Sequence, residues 1–366
     1  MKAIISEKYG TPDTLNLIET PAPVPEKNQV LVRVHASSIN FGNLVLLTGK
    51  PRLARLAFGL RKPKYPFPGG DMAGVVEAVG EDVTQFQLGD EVFGDLSSSS
   101  WGALAEYAVA DEKALALKPS NLLFTEAAAV PMAAVTALQT IRDKGNLRPG
   151  QEVLIYGASG GVGTFALQIA KAFGAKVTAV VSTRNIDIAR SLGADHVIDY
   201  KKESLENHAK TYDLIIGVNG SQSMFTYKKL LKENGIFIHV GGAISQMYQS
   251  MMLRPLLSMS GKKKFITFLQ RHNQKDLVVM KELIEEGKVK PVIDRSYSLS
   301  EVPEAFRYFA KGMRRGRWLL LFNFIQQKSP TSISSGMNAK RVTNSVGIKP
   351  LLNKVKPPAD ASIFQR

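Results

Sequence analysis

The sequence contains no cysteine among its 366 residues. That excludes a disulfide framework, a thiolate nucleophile and any cysteine-ligated zinc. Histidine is scarce as well, and His35, His196, His208, His239 and His272 form no pair at metal-ligand spacing. No metal site is expected. His35 falls on an alternating strand and His239 on a core strand, so both are expected to be packed and hydrogen-bonded. Long apolar runs are absent. The longest, residues 127–138, contains a proline and falls short of the roughly 20 residues that cross a bilayer. The G-x-S-x-G elbow of a hydrolase is missing, and the Gly157-Ala-Ser-Gly-Gly run is not followed by the Lys-Ser or Lys-Thr of a Walker loop. The first residues, Met-Lys-Ala-Ile-Ile-Ser, lack the apolar core of a signal peptide, and a cytoplasmic location is expected.

What is present is the material of a folded enzyme. Hydrophobic residues make up 44% and charged residues 22%, enough for sizeable cores and, at this length, for two domains. Net charge is +15, unevenly spread. The segment from Gln326 to Arg366 holds seven basic residues against Asp360, so +6 lies there. A second cluster is Arg52, Arg55, Arg61, Lys62 and Lys64, and a third is Lys311, Arg314, Arg315 and Arg317. No aromatic residues alternate with the charges of the last segment, as a base-stacking surface would want, so specific nucleic-acid binding is not expected.

Up to about residue 125 the chain reads as strands punctuated by glycine and proline. Residues 29–36 alternate apolar and polar side chains, 74–80 and 89–94 are further strand-and-turn runs, and 101–110 reads as a strand pair. A small barrel-like β domain is implied. A helix then opens near Thr125, with Thr125 or Phe124 near its cap. From Gln151 strands (153–156, 176–182, 196–199, 213–216, 235–240) alternate with helices (164–173, 185–192), which argues for βαβ units and a parallel sheet. A helix over 275–286, a strand near Val292, a helix over 300–311 and an apolar strand over 317–322 follow, and the last is expected to return to the first domain. Residues 326–366, rich in Ser, Pro, Asn and Lys, read as a loosely attached tail.

The sharpest local signal is Tyr156-Gly-Ala-Ser-Gly-Gly-Val-Gly163, which follows a predicted strand and opens a predicted helix. Ala158, Gly160 and Gly163 occupy the three small-residue positions of G-x-G-x-x-G, with Ser159, Gly161 and Val162 between them. Small residues let the backbone turn tightly and approach a pyrophosphate, while the helix N-terminus offers free N–H groups. An NAD site places Asp or Glu at the end of the second strand. Here Ser182, Thr183 and Arg184 stand there, and Asp187 lies five residues on, inside the helix. Hydroxyl donors and a guanidinium suit a 2′-phosphate, so NADPH is expected, with NADH possible if Arg184 is simply solvated.

Together these motifs resemble the medium-chain dehydrogenase/reductase superfamily, in its zinc-free quinone oxidoreductase branch, the zeta-crystallin-like proteins. The resemblance spans about residues 1–322. It rests on Ala36-Ser-Ser-Ile-Asn40, Gly69-Gly-Asp-Met-Ala-Gly-Val-Val-Glu-Ala-Val-Gly80, Gly89-Asp-Glu-Val-Phe-Gly94, Glu126-Ala-Ala-Ala-Val-Pro131, the Gly157–Gly163 loop and Leu192-Gly-Ala-Asp-His-Val-Ile-Asp-Tyr200. It implies an α/β fold: a GroES-like β-barrel domain plus a Rossmann doubly wound parallel sheet. The domains would be 1–125 and 263–322 for the GroES-like part, 126–262 for the Rossmann insertion and 323–366 for the basic tail.

Zinc-dependent members carry a Cys where this chain has Ser37-Ser-Ile-Asn40 and Gly-His-Glu where it has Gly69-Gly-Asp71, so the ligands are absent. By the same resemblance Asn40 faces nicotinamide and substrate, Thr136 sits beside the nicotinamide, Tyr200 lies near the adenine ribose, and Val240, Gly241 and Gly242 run along the cofactor. Each has a plain alternative: a helix-packing Thr, a surface Tyr, a turn of two glycines. Enoyl reductases carry a proton-donating Tyr about ten residues after the Asn40 position. Here that stretch reads Leu47-Thr-Gly-Lys-Pro51, and Tyr65, after a longer basic insert, is the candidate to replace it. Asn219, in Gly217-Val-Asn-Gly220, departs from the family's usual element near the nicotinamide. The substrate pocket is expected from 44–65 and 247–268. The expected activity is NADPH-dependent hydride transfer to a quinone or an α,β-unsaturated carbonyl, by a homodimer without a transmembrane segment. Alternatives are reduction of simple carbonyls with the reverse alcohol oxidation, and, in another class, an NADPH-binding interaction or membrane-associated protein.

Overall fold

Alternating apolar residues dictate the strands of the first third of the chain. In β3 (Gln29–Ile39) Val30, Val32 and Val34 are buried while their neighbours face outward. The computed structural model describes residues 1–218, 222–241, 262–313 and 320–323, and Met1–Ile325 forms one compact unit. Asn219 and Gly242 therefore lie outside the described residues, as do most of the expected pocket segment 247–268 and the segment from 324 onward.

β1 (Lys2–Ile5) and β2 (Asn16–Glu19) form a small antiparallel pair. β3 is the hub of a seven-stranded sheet, pairing antiparallel with β4 (Asp71–Val79), β6 (Tyr107–Asp111) and β15 (Leu320–Asn323). β5 (Glu91–Asp95) and β7 (Leu115–Leu117) extend it beyond β4, and β14 (Arg295–Tyr297) flanks β15. A strand from the far end of the described chain thus sits beside β3. Val30, Val32, Met72, Phe86, Val92 and Leu115 pack into the core of this lobe.

Two expectations fail here. Residues 101–106 form no strand: Trp101 is in the left-handed region at φ 57° and Gly102 at φ 93°, which breaks extension, and only β6 is regular. The strand expected near Val292 lies at Arg295–Tyr297 instead. The helix near Thr125 is capped one residue before Phe124, at Leu123, whose N–H is taken by the Glu126 carboxylate. That helix, α3 (Phe124–Ala127), is followed by α4 (Pro131–Gln139).

The second lobe is a six-stranded parallel sheet. Its order is β10 (His196–Asp199), β9 (Lys176–Val181), β8 (Glu152–Tyr156), β11 (Tyr212–Val218), β12 (Leu231–Val240), β13 (Lys264–Phe268). From β8 the chain winds outward to β10, crosses back, and winds out the other way to β13. The switch point therefore lies between β8 and β11, where open α/β sheets bind ligands. α4, α5 (Gly161–Ala172) and the helix Gln274–Glu285 cover one face through Phe165, Leu167, Ile169, Leu138, Leu277 and Met280. Each such fully buried side chain stabilises by about 1.5–3 kcal/mol. Tyr212, Tyr227, Phe237 and Phe265 fill the other face. No helix among the described residues is long and apolar enough to cross a membrane.

Candidate active site

Two constructions stand out in this structure: a phosphate-type cradle on β8 and a polar row at one end of the β3 sheet. The cradle begins at Gly157, where φ is +79° and a Cβ would meet the Val218 carbonyl at 2.2 Å. The left-handed turn thus falls one residue before the first small-residue position, which is why Ala158 is tolerated there. Gly160 caps α5, and Gly161, Val162 and Gly163 form its first turn. At Gly163 a Cβ would lie 2.1 Å from the Gly157 carbonyl, so helix and strand are in closest contact at this residue. The first-turn N–H groups have no place in the helix's own ladder and point at whatever occupies the loop. A cleft of about 210 Å³ opens here between Ser159, Gly160, Gly161, Arg184, Asn185 and Asp294. The cradle fits a dinucleotide's pyrophosphate.

Of the expected adenine-side residues Arg184 lines this cleft, and Ser182 is tied to its wall through Asn185. Asn185 Nδ2 donates to Ser159 Oγ (2.9 Å) and to Ser182 Oγ (3.1 Å), joining the glycine loop to the end of β9. Thr183 is already used: its hydroxyl donates to Asp199 Oδ2 at 2.7 Å. The Thr183 hydroxyl and the Lys201 amide hold the Asp199 carboxyl below the usual carboxylate range. A carboxylate therefore does stand at this corner, supplied by β10 rather than β9. Sequence reasoning missed it because Asp199 is local to Tyr200 in the chain and to Thr183 only through β10–β9 pairing. Tyr200 stacks on Tyr156 at 6.1 Å, and Lys201 Nζ lies 5.4 Å from the Tyr200 ring centroid.

The polar row is set by register. Ser38 on β3 faces Asp71 on β4, which faces Asp95 on β5. Directly opposed residues share a face, so three polar side chains line up across three strands. A register shift between Val34 and Ala36 places His35 at a bulge just before this row. Asn40 ends β3 and caps α1 (Phe41–Thr48), accepting from Asn43 N at 3.1 Å. Its Nδ2 donates to Asp71 Oδ2 at 3.0 Å, as Ser38 Oγ does at 3.1 Å, and Met132 N donates to Asp71 Oδ1 at 3.1 Å. Asp71 so ties the β lobe to the start of α4. Burial, with Asp95 across the ladder, pushes the Asp71 carboxyl up against the pull of these three donors. His272 Nδ1 lies 3.3 Å from Asp95 Oδ2, an ion-pair distance without hydrogen-bond geometry. Asp95 and His272 were not singled out from the sequence as site residues, and Asp71 only as part of the run that replaces Gly-His-Glu, since the separations within this row carry no local signal.

Thr136, on α4, is buried; its hydroxyl donates to Met132 O at 2.6 Å and approaches Gln270 Oε1 at 3.5 Å. Tyr65 packs near Trp101 (6.4 Å between ring centroids), and the Trp101 ring and Asn40 side chain both border Gly42. Asn40 and Tyr65 are thus neighbours of one wall, and no hydrogen bond joins them. Val240 ends β12 in the core, and Gly241 follows at φ 60°. His35 is not hydrogen-bonded: both ring nitrogens lack partners and the ring lies on Phe124 at 4.3 Å. His239 is buried with Nε2 unpartnered, and burial lowers its pKa to about 4. Among the described residues no group of three or more His, Cys, Asp or Glu could hold a metal ion.

Comparison with known proteins agrees with this architecture. Residues 26–120 match the alcohol dehydrogenase GroES-like domain, and residues 192–320 match the zinc-binding dehydrogenase family. The chain is 35% identical to the chloroplastic quinone-oxidoreductase QR1 of Triphysaria versicolor, covering 87% of this chain and 97% of that protein. It is 34% identical to the chloroplastic NADPH-dependent alkenal/one oxidoreductase of Arabidopsis thaliana, over 87% and 78%. Among solved structures, the quinone oxidoreductase of Coxiella burnetii superposes with a TM-score of 0.78 at 30% identity, covering 89% of this chain and 99% of that one. With its β lobe, its winding parallel sheet and its glycine loop at the switch point, the chain belongs to the quinone oxidoreductase branch of the medium-chain dehydrogenase/reductase superfamily.

Proposed function

We propose that the protein is an NADPH-dependent reductase that delivers hydride to a quinone or an α,β-unsaturated carbonyl. The observation that carries this reading is the glycine cradle at the β8–β11 switch point of the parallel sheet, in a chain whose β lobe holds Asn40 in a fixed orientation. Bound NADPH would supply the hydride. The chain's residues bind and orient. Ala158 through Gly163 would hold the pyrophosphate, Ser182 and Arg184 the adenosine phosphate, Tyr200 would lie near the adenine ribose, and Thr136, Val240 and Gly241 would border the nicotinamide.

Asn40 is locked by Asp71 and Asn43, so its amide is oriented before substrate arrives. Tyr65 and Trp101 supply an aromatic wall suited to a flat acceptor. No strong acid reaches the acceptor among these residues, and the proton is assigned to solvent. The reading is zinc-independent on residue chemistry: serines, Asn40 and glycines are poor zinc ligands, and the Asp71 carboxylate is committed to three donors. The catalytic lobe is read as 1–125 with the strands β14 and β15, and the cofactor lobe as running from 126 through the helix Gln274–Glu285; the expected boundary at 262/263 gives way because β13 pairs with β12 and that helix covers the parallel sheet. A homodimer through the Rossmann sheets is part of the reading, as is a cytoplasmic location, on which the chloroplastic relatives differ.

Parallel fluorescence titrations with NADPH and NADH test the cofactor, and an acceptor screen tests the reaction. NADPH is expected to bind at least about tenfold more tightly, since a phosphate–guanidinium pair is worth upward of 1.5 kcal/mol. Arg184→Ala should erase that preference, and Gly163→Val should abolish binding of both. Quinones or enones should be consumed and unactivated alcohols left untouched. Equal binding of the two cofactors would remove the phosphate assignment, and turnover of alcohols instead of enones would overturn the reaction.

A further inference from the structure

Between Glu26 and Asp71 the chain has no acidic residue and eight Lys or Arg, and in one part of that stretch apolar side chains stand in water. Leu53, Leu56 and Leu60 are 61%, 71% and 68% exposed. Three of the exposed large hydrophobics of the described residues thus fall within eight positions, among the exposed Arg52, Arg61, Lys62 and Lys64. Scattered exposed leucines need no explanation, but a cluster set in one sign of charge does.

The inner side of the segment is firmly held. Tyr9 Oη donates to the carbonyls of Phe58 (2.9 Å) and Gly59 (2.6 Å), and Lys64 N donates to Phe58 O at 2.6 Å. Arg55 lies over the Tyr9 ring at 4.5 Å and donates to Gly49 O. Phe58 packs edge-on to Trp101 at 6.1 Å. The leucines are therefore presented outward by a pinned scaffold that includes the short helix α2 (Arg55–Phe58).

We propose that this segment docks the protein on an anionic lipid bilayer, with Leu53, Leu56 and Leu60 entering the headgroup boundary and the surrounding Arg and Lys meeting lipid phosphates. Basic residues attract the anionic surface and apolar ones convert attraction into insertion. A second copy of the chain would bring the same cations face to face across a two-fold interface. RNA would want aromatic platforms where this surface has leucines. The segment's inner side also packs on Trp101, beside Asn40 and Tyr65, so docking would place that wall directly behind the bilayer-facing leucines. Only this last link, the entry of a lipid-soluble acceptor, rests on the proposed function.

Flotation of the full-length protein with vesicles tests the docking without any turnover. Phosphatidylcholine vesicles containing phosphatidylglycerol should carry the protein upward, and phosphatidylcholine alone should not. The charge-preserving variant Leu53→Ser/Leu56→Ser/Leu60→Ser should bind the anionic vesicles at least about tenfold more weakly, with its thermal midpoint unchanged. Undiminished binding by the variant would overturn the proposal, because the basic charges of residues 326–366 would then suffice. Absence of vesicle binding, or equal binding to both vesicle types, would overturn it too. So would RNA homopolymer binding that the leucine substitutions weaken in the absence of vesicle binding. A protein that floats but binds no NADPH would leave the docking standing and remove the proposed function.

Discussion

His239 shows how a single buried side chain can set the acid limit of the molecule. It sits on β12 between Gly217 of β11 and Thr267 of β13, 2% exposed, with Nε2 unpartnered. Burial lowers its pKa to about 4 in the folded state, against about 6.5 in an unfolded chain. Between these values the unfolded state binds the proton and the folded state does not. Stability is therefore full above about pH 6.5 and falls as pH drops toward 4, by up to about 3 kcal/mol if no other group compensates. His239→Leu removes the titration and leaves no hydrogen bond of Nε2 behind. The variant should match or exceed the wild type at neutral pH and lose less stability between pH 6.5 and 4. Urea unfolding midpoints across that range measure both slopes, and parallel slopes would refute the assignment.

At the scale of elements, α4 is fastened to the helix Gln274–Glu285, its neighbour on one face of the parallel sheet. Asp276 is 2% exposed and accepts from Gln139 Nε2 and Arg142 Nη2, both at 2.7 Å. Arg142→Ala would leave a buried carboxylate with one donor fewer. Discounted for the partial exposure of Arg142, the cost should be about 1–2 kcal/mol, read as a lower thermal midpoint that Arg142→Lys partly restores. Contacts of this kind also mark the boundary of what sequence reveals. The glycine loop was legible because its demands, a left-handed turn at Gly157 and no Cβ at Gly163, fall within seven consecutive residues. The alternation of β3 and the βαβ series were legible for the same local reason. The Ser38–Asp71–Asp95 row was not, because it exists only through ladder register downstream of the His35 bulge. Nor was the Thr183–Asp199 bond, which depends on β9 lying beside β10. Trp101 misled in the opposite direction: an aromatic residue with high strand preference was read as extended, and its φ of 57° bars that.

At the scale of the whole molecule, a large share of the net charge lies outside the unit that holds the described strands. Residues 326–366 supply +6 of the net +15, yet the compact unit closes at Ile325. Its last described strand, β15, lies between β14 and β3, inside the sheet rather than at its margin. Two truncations should therefore behave oppositely. A chain ending at residue 325 keeps every described strand and should retain its thermal midpoint, its cofactor affinity and its turnover, while its net charge falls to +9 and cation-exchange retention weakens. A chain ending at residue 313 removes β15, which leaves β14 without a partner and one edge of β3 unpaired beside the Ser38–Asp71 row. Loss of a central strand exposes ladder groups and apolar surface together, and this chain should aggregate or fail to bind cofactor. Calorimetry of both forms decides the point. A midpoint for the 325-residue form more than about 5 °C below the full chain, equivalent to roughly 2 kcal/mol at this size, would mean that the basic segment contributes to the fold.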